Sequence, residues 1–324
     1  MEFVLIALAL IYNFVNGFQG SGSSVATIIS SRAMHPRLAL GITAAAAFAG
    51  PLMFGTAVAR TIGAGIISPE TANPAMIIAT LISAILWSLA TWYLGIPGSP
   101  SHALLGGLVG TGIASLGLSQ LQTDGIIRVV LALFTSPILG FLVGLVITRL
   151  VFFLARNATL KINWWFIRGQ ILTGTGLALS NGANDAPKGM GMMALGLVSS
   201  GFFPQFEVPW WVLLSCALAI SAGALLGGRR VIKTLGGKFF RIRPIDSFCS
   251  QVAAAGIILS AALLGGPVST TQVVSSAILG TGAAERPNKV RWGLAGSIGI
   301  TWLLTIPANI ALSWGLYFII SRLV

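Results

Sequence analysis

The sequence predicts an all-α polytopic membrane protein of two inverted-topology repeats, each with a broken helix hairpin. Its composition excludes an ordinary soluble protein, because 55% of the 324 residues are hydrophobic and only 8% are charged, against about 25% charged residues in a typical soluble domain. Apolar runs of about 20 residues, long enough to cross a bilayer, recur along the chain. In each half, one apolar stretch is interrupted at its centre by a similar motif rich in Gly, Pro and Ser.

The apolar runs locate the membrane helices. The first run, Met1–Phe18, lacks a basic leader and an Ala-x-Ala cleavage site, so we interpret it as a membrane helix rather than a signal peptide. The later candidate spans are Leu38–Ala59, Ala75–Leu94, Arg128–Leu150, Val208–Gly227 and Val290–Ile320. Because each broken hairpin can re-enter or cross fully, the expected number of helices is about 10 to 12.

The distribution of charge orients these helices. In a soluble protein, a net charge of +12 would suggest nucleic acid as a partner. In a membrane protein, the excess of basic residues in cytoplasmic loops accounts for it, so the expected partner is membrane lipid and not nucleic acid. The loops predicted to be cytoplasmic carry Arg32 and Arg37; Arg149, Arg156, Lys161 and Arg168; Arg229 through Arg243; and Arg286, Lys289 and Arg291. Loops around Glu70, Asp124 and Glu207 are poor in Lys and Arg and are predicted to be external.

This orientation makes the two halves inverted copies. We expect a first repeat at residues 1–155, a cytoplasmic connector at 156–168 and a second repeat at 169–324. The first hairpin, at residues 75–118, would enter from outside, and the second, at residues 247–283, from inside. Their tips would meet near the middle of the membrane, as alternating access requires. The alternative is a chance pattern in a glycine-rich bundle, since glycine is common where membrane helices pack closely.

The two interruptions predict a binding site for an anion. They read Gly-Ile-Pro-Gly-Ser-Pro-Ser-His at residues 95–102 and Gly-Gly-Pro-Val-Ser-Thr-Thr-Gln at residues 265–272. Pro267 prevents a continuous helix, Ser and Thr favour a cap for a helix that resumes at Gln272, and Pro100 starts the corresponding helix of the first half. A helix N-terminus inside the membrane attracts anions through its free N–H groups and its dipole. The predicted donors are Ser99, Ser101, Ser269, Thr270 and Thr271.

A simpler interpretation of these hydroxyls remains open. Ser and Thr in a kinked packing helix often donate to carbonyl groups of their own backbone. One such motif would not separate the two interpretations, whereas a matching pair of interruptions favours a binding site.

A carboxylate and two amides form a second candidate cluster. Asp185 is the one acid that the predicted topology places inside the membrane, and an intramembrane carboxylate is functional by default. Asn181 precedes it by one helical turn, and Lys188 follows close enough to form a purely structural ion pair. Asp185, Asn181 and Thr271 could bind a coupling cation such as Na⁺. Alternatively, Asp185 could accept a hydrogen bond from protonated phosphate, which would disfavour sulfate.

The paired motifs resemble those of the inorganic phosphate transporter (PiT) family. Its signature is a duplicated Gly-x-Asn-Asp element and a duplicated Pro-x-Ser-Thr-Thr-His element. The second half matches closely, with Gly-Ala-Asn-Asp at residues 182–185 and Pro-Val-Ser-Thr-Thr at residues 267–271. The first half is similar at residues 13–18, 26–34 and 96–102. The resemblance covers nearly the whole chain and implies cation-coupled phosphate symport, inverted repeats and a homodimer.

The chain departs from the family pattern at several positions. Gly20 stands where the first-half Asp is expected, Asn13 stands at a second position that is often Asp, and Gln272 replaces the second-half His. One carboxylate site of the family therefore remains instead of two. We expect fewer coupled cations, or a proton in place of Na⁺.

The sequence as a whole predicts a secondary active transporter for inorganic phosphate in the plasma (inner) membrane, coupled to Na⁺ or H⁺. It predicts no cofactor apart from a bound Na⁺. The alternatives are a permease for sulfate or a related oxyanion on the same scaffold and a passive anion channel. An enzyme is disfavoured, because no His-Glu-x-x-His or Gly-x-Ser-x-Gly motif is present. The predicted substrate site comprises Asn181, Asn184, Asp185, Ser269, Thr270 and Thr271, with Ser99, Ser101, Asn16 and Gln19 as the pseudosymmetric part.

Overall fold

The computed structural model describes residues 1–159, 161–227 and 229–323, and these residues form helices and loops without a β-strand. The first half contains six α-helices and a 3₁₀ turn at Leu118–Gln120. The α-helices are α1 (Glu2–Ser30), α2 (Pro36–Phe54), α3 (Ala57–Ala64), α4 (Pro74–Leu94), α5 (Pro100–Leu116) and α6 (Thr123–Leu154).

The second half of the described chain repeats this order. Its α-helices are α7 (Ile162–Ser199), α8 (Trp210–Leu226), α9 (Arg229–Lys233), α10 (Pro244–Leu263), α11 (Thr270–Glu285) and α12 (Trp292–Ile320). A π-helical turn, Thr234–Lys238, follows α9, and a 3₁₀ turn, Pro287–Lys289, precedes α12. Each half is therefore a long helix, a second helix with a short continuation, a hairpin and a closing helix.

The long helices α1 and α7 cross in opposite directions. Gly196 of α7 lies against Leu5 of α1, and Gly174 of α7 lies against Ile28 of α1. Residue numbers therefore rise along one helix as they fall along the other. Because α1 and α7 are equivalent helices of the two repeats, their antiparallel crossing confirms the predicted inverted topology.

The four basic segments come together at one end of the bundle, here called the basic end. Ser31, at the end of α1, donates to Gln170 Oε1 near the start of α7 at 2.6 Å, and Gln170 Nε2 donates to the Pro244 carbonyl at the start of α10. Arg32, Arg241 and Arg291 line one cavity at this end. At the opposite end, the backbone N–H of Gln122 donates to the Ile66 carbonyl at 3.0 Å, and Glu207 lines one cavity with Gly65 and Gly125. The loops predicted to be external therefore also share one end.

Among the described residues, six helices are long and apolar enough to cross a membrane: α1, α2, α4, α6, α10 and α12. The long central helix α7 is not among them, because Asn, Asp and Lys interrupt its apolar sequence. One predicted span was wrong in detail. Leu38–Ala59 is not continuous, since Gly55 adopts a φ of 83° and separates α2 from α3.

Both predicted hairpins are present. The arms α4 and α5 both have their outer ends at the end opposite the basic end, where Asn73 Nδ2 donates to Ser115 Oγ at 2.8 Å. The arms α10 and α11 have theirs at the basic end, where Arg243 contacts Glu285. The second hairpin resumes two residues earlier than predicted, at Thr270 rather than Gln272, with Ser269 at the N-cap. The tips of the two hairpins therefore point toward each other inside the bundle.

Candidate functional site

The site is built around an ion pair in the middle of α7. Lys188 Nζ lies 2.6 Å from Asp185 Oδ1, one helical turn away. The side chain of Lys188 is fully buried and that of Asp185 is 4% exposed. Burial of an unpaired charge would be costly, and pairing with additional hydrogen bonds is what makes it tolerable. The ion pair that the sequence left as an alternative is thus formed.

Lys188 also joins the two hairpin breaks. Its ammonium donates to Ser101 Oγ of the first break and to the Val268 carbonyl of the second break, each at 2.7 Å. Ser101 Oγ in turn donates to the same carbonyl at 3.1 Å. The two interrupted segments, far apart in sequence, therefore meet at one side chain of α7.

Asn184 holds the second break in its open conformation. Its Nδ2 donates to the Gly266 carbonyl at 3.0 Å, and its Oδ1 accepts from the Val268 amide at 3.2 Å. Pro267, which lies between Gly266 and Val268, has no N–H group and breaks the helix here. The Gly266 carbonyl and the Val268 N–H therefore take the Asn184 side chain as their partner. Asn184, predicted as a substrate ligand, thus gives one donor and one acceptor to the protein backbone in this conformation.

The N-terminus of α11 faces the carboxylate of α7. Thr270 Oγ1 donates to Asp185 Oδ2 at 2.8 Å, whereas Ser269 Oγ, although buried, has no hydrogen-bond partner. No side chain caps the first turn of this helix, so its leading N–H groups remain available to an anion. The structure places Thr270 at Asp185; Thr271, which we predicted as a cation ligand, is buried nearby but makes no hydrogen bond to that carboxylate.

The first break differs from the second because its helix is already capped. Ser99 Oγ accepts from the His102 amide at 3.2 Å and also contacts His102 Nδ1 at 2.7 Å. The His102 ring lies 3.3 Å from Gln272 Nε2 in the second break. His102 and Gln272, which occupy equivalent positions in the two motifs, thus touch across the centre of the molecule.

The remaining first-half candidates separate into two groups. Asn16 lies with Asn181 beside a small cavity between α1 and α7; Asn181 Nδ2 donates to Ser24 Oγ at 2.7 Å, while Asn181 Oδ1 and Asn16 Nδ2 are buried without partners. Gln19 instead turns toward α4, where its Nε2 donates to the Ser88 carbonyl. Asn16 and Asn181 therefore present unpartnered polar atoms beside the cavity, whereas Gln19 contacts the first hairpin.

The cavity at this site is too small for a polyatomic anion. Its volume is about 20 Å³, and its lining includes Asn16, Ser24, Asn181 and Asp185. A volume of about 10–15 Å³ is needed for one water molecule. The structure is therefore closed around the site.

A much larger cavity of about 870 Å³ opens at the end opposite the basic end. Arg60, Arg128 and Glu207 lie in its wall, and Gly265, Gly266 and Pro267 of the second break also line it. This vestibule brings solvent and two positive charges to the tip of the second hairpin.

Sequence comparison places the chain in a known group. The family model described as the phosphate transporter family matches residues 16–167 and again residues 155–313. The chain belongs to the phosphate transporter family. Because this family consists of transporters, the predictions of a multi-pass integral membrane protein and of no enzymatic activity are confirmed.

Several relatives in the phosphate transporter family are similar over their full length. A probable low-affinity inorganic phosphate transporter of Rhizobium meliloti (strain 1021) is 41% identical over 97% of this chain and 95% of that protein. One from Bacillus subtilis (strain 168) is 38% identical over 100% of this chain and 98% of that protein. A solved structure described as the sodium-dependent phosphate transporter is 26% identical, covers 100% of this chain and 99% of its own, and has a TM-score of 0.89.

Two features of the site were not predicted from the sequence. Ser24 pairs with Asn181, although only a run of Gly and Ser at residues 20–24 hinted at close packing there. The sequence placed Lys188 close enough to pair with Asp185, but its contacts with both breaks depend on residues distant in sequence. No spacing rule along a helix could reveal them.

Proposed function

We propose that this chain is a secondary active transporter of inorganic phosphate that works by alternating access with a coupling cation, Na⁺ or H⁺. The observation that carries the proposal is the meeting of two inverted hairpin breaks at a buried polar cluster on the crossing of α1 and α7. Broken helices at the interface of inverted repeats are where secondary transporters bind substrate. The family and the relatives named for phosphate support phosphate as that substrate.

The free polar groups of the site suit an oxyanion. Asn16 Nδ2, the Ser269 hydroxyl and the uncapped first turn of α11 supply donors. Phosphate at neutral pH carries a proton that a carboxylate or amide oxygen can accept, and Asp185 and Asn181 line the same small cavity as Asn16. Since the cavity in this conformation holds about one water molecule, binding requires the hairpins to move apart.

The cellular setting follows from the distribution of charge. We place the basic end in the cytoplasm, the protein in the plasma membrane, and the 870 Å³ vestibule on the external face. Membrane lipid covers the exposed apolar faces of α6 and α12, whose most apolar windows are each only 22% buried. A homodimer, implied by the family resemblance, would cover part of these faces.

Transport in proteoliposomes tests the proposal. Uptake of radiolabelled phosphate is measured with Na⁺ and H⁺ gradients imposed separately and with excess sulfate as competitor. Uptake that follows one of the gradients and resists sulfate is expected. Flux that follows the phosphate gradient alone would instead identify a passive channel, and uptake abolished by sulfate would identify a broader oxyanion permease.

A further inference from the structure

Lys188 makes a set of hydrogen bonds to which the proposed transport function assigns no role. Its ammonium lies among three oxygen atoms, Asp185 Oδ1 at 2.6 Å, Ser101 Oγ at 2.7 Å and the Val268 carbonyl at 2.7 Å. The whole side chain is inaccessible to solvent. A fully buried lysine is rare unless its charge has a specific partner.

The hydrogen-bonding capacity of this ammonium is exhausted. A lysine ammonium has three N–H donors and no acceptor, and each of the three contacts uses one donor. No donor is left to bind phosphate while these contacts persist. Lys188 is therefore held as a positive charge within the protein and is not poised as a ligand for the anion.

The three acceptors form a set that also binds metal cations. Carboxylate, hydroxyl and backbone carbonyl oxygens are the ligands of hard cations, and carbonyls at unwound helix breaks coordinate Na⁺ in secondary transporters. Two of the three oxygens come from the hairpin breaks. The ammonium thus stands where three convergent oxygens would otherwise attract a cation from solution.

The charge balance of the site agrees with this interpretation. Of the seven acidic residues in the sequence, Asp185 alone lies in the middle of a long helix, and the others lie in loops or at helix ends. A side chain at Gly20 would begin 3.7 Å from Asp185 Oδ2, but glycine supplies no second carboxylate there. Asp185 and Lys188 neutralise each other, so no net negative charge remains to require a bound metal cation.

We propose that the ammonium of Lys188 is a built-in cation that occupies the place of one coupling Na⁺, so that the site works without Na⁺ at this position. The consequence for coupling depends on the proposed transport function, but occupancy of the position by Na⁺ can be measured without transport. Na⁺ is expected to bind only when the ammonium is removed and its space is left open.

Thermal unfolding of the purified protein in detergent gives the first test. NaCl replaces choline chloride at constant ionic strength, and a ligand that binds only the folded state raises the Tm saturably. The Tm of Lys188→Ala should rise with Na⁺ by several degrees more than the wild-type Tm does, because a Na⁺ bound elsewhere would raise both alike. A wild-type Tm that rises as much as that of the variant would overturn the proposal, as would a folded Lys188→Ala variant without a response.

Two matched variants locate the Na⁺ effect. Lys188→Met removes the charge but fills the same space, so its Tm should respond to Na⁺ no more than the wild-type Tm does. Asp185→Asn combined with Lys188→Ala leaves the space but removes the carboxylate, and the additional response should be lost as well. An additional response retained in either variant would place the Na⁺ elsewhere and contradict the proposal.

The wild-type protein provides a second measurement, which does not depend on the folding of Lys188→Ala. Phosphate uptake is followed while Na⁺ is replaced stepwise by choline. Uptake that persists without Na⁺, or that depends on Na⁺ with a Hill coefficient no higher than about one, supports the proposal; a coefficient of about two overturns it. Absence of uptake under every gradient would reject the transport function and leave the unfolding test of Lys188 intact.

Discussion

Both oxygens of the Asp185 carboxylate are hydrogen-bonded within the site. One of its oxygens accepts from Lys188 and the other accepts from Thr270, so a single carboxylate connects α7 to the second hairpin. The pair is almost fully buried, so bulk water does not screen its charges. Each charge is stable there only because the other is present.

Asp185→Asn should abolish phosphate uptake and lower stability. The amide keeps the shape of the carboxylate but leaves the Lys188 ammonium without a counter-charge, which costs about 3–5 kcal/mol in a buried pair. Uptake in proteoliposomes and thermal unfolding in detergent measure the two effects. Normal uptake by the variant would remove Asp185 from the mechanism.

A double variant separates stability from function. Asp185→Asn with Lys188→Met has no unpaired charge, so most of the lost stability should return. Uptake should remain absent because the carboxylate is still missing. Recovery of uptake in this double variant would indicate that the ion pair is purely structural.

At the scale of elements, small residues allow the helices around the site to approach closely. A Cβ atom at Gly182 of α7 would lie 2.7 Å from Ala47 Cα and closer still to the Ala47 carbonyl oxygen of α2. Contacts of that kind are possible only between backbones without intervening side chains. The close packing of α2 on α7 fixes the position of the neighbouring Asn181 and Asp185.

Gly182→Ala should therefore impair both stability and uptake, because α2 and α7 must separate to accept the methyl group. Gly176→Ala is the matched control, since a Cβ atom at Gly176 of the same helix has no neighbour within 4 Å. The control should be as stable as the wild type or slightly more, given that Ala favours a helix by about 1 kcal/mol over Gly. Equal losses in both variants would indicate a general effect of Ala in α7.

Each hairpin tip is held by a threonine of the opposite repeat. Thr61 of α3 donates to the Gly265 carbonyl at 2.7 Å, and Thr234, directly after α9, donates to the Gly95 carbonyl at 2.8 Å. Arg230 of α9 also donates to the Tyr93 carbonyl. The two contacts are equivalent under the inverted repeat, one at each end of the bundle.

Loss of one threonine hydroxyl should loosen one hairpin tip and not the other. Thr234→Val should speed amide hydrogen exchange at residues 95–98, and Thr61→Val at residues 265–267, because each loses a hydrogen bond worth about 1 kcal/mol. Hydrogen exchange read by mass spectrometry measures both tips, so that each variant is the control for the other. Equal acceleration at both tips in either variant would contradict this independence.

At the scale of the whole molecule, the surroundings of the two hairpin tips differ, although the inverted repeat makes the tips equivalent. Ala57 lines the open vestibule of about 870 Å³ beside the second hairpin tip, whereas its counterpart Arg230 lies over the first tip, 4.6 Å from the ring of Tyr93. The site between the tips is closed. Alternating access requires such a difference between the faces, since only one side can be open at a time.

Labelling with a membrane-impermeant maleimide should reveal this orientation in intact cells. The exposed Ala57→Cys should react from outside, while the exposed Arg291→Cys at the basic end should react only after permeabilisation. Native Cys216 and Cys249 are both buried, so the unsubstituted protein gives the background. The reverse pattern would invert the proposed topology.

The sequence by itself determined the class and plan of this protein. Its low charge and long apolar runs require lipid as solvent, the duplicated interruptions locate two hairpins, and the basic loops set an inverted order that the crossing of α1 and α7 confirms. These properties are local or periodic, and each can be read from neighbouring residues. The family resemblance then supplied phosphate as the expected substrate.

Only the tertiary structure decided how the site is assembled. It assigned Asn184 to the second break, Thr270 to Asp185 and Gln19 to the first hairpin, and it brought Ser101 and Val268 to Lys188. These contacts join segments that are far apart along the chain. Their geometry arises from the packing of whole helices, which no local pattern of residues specifies.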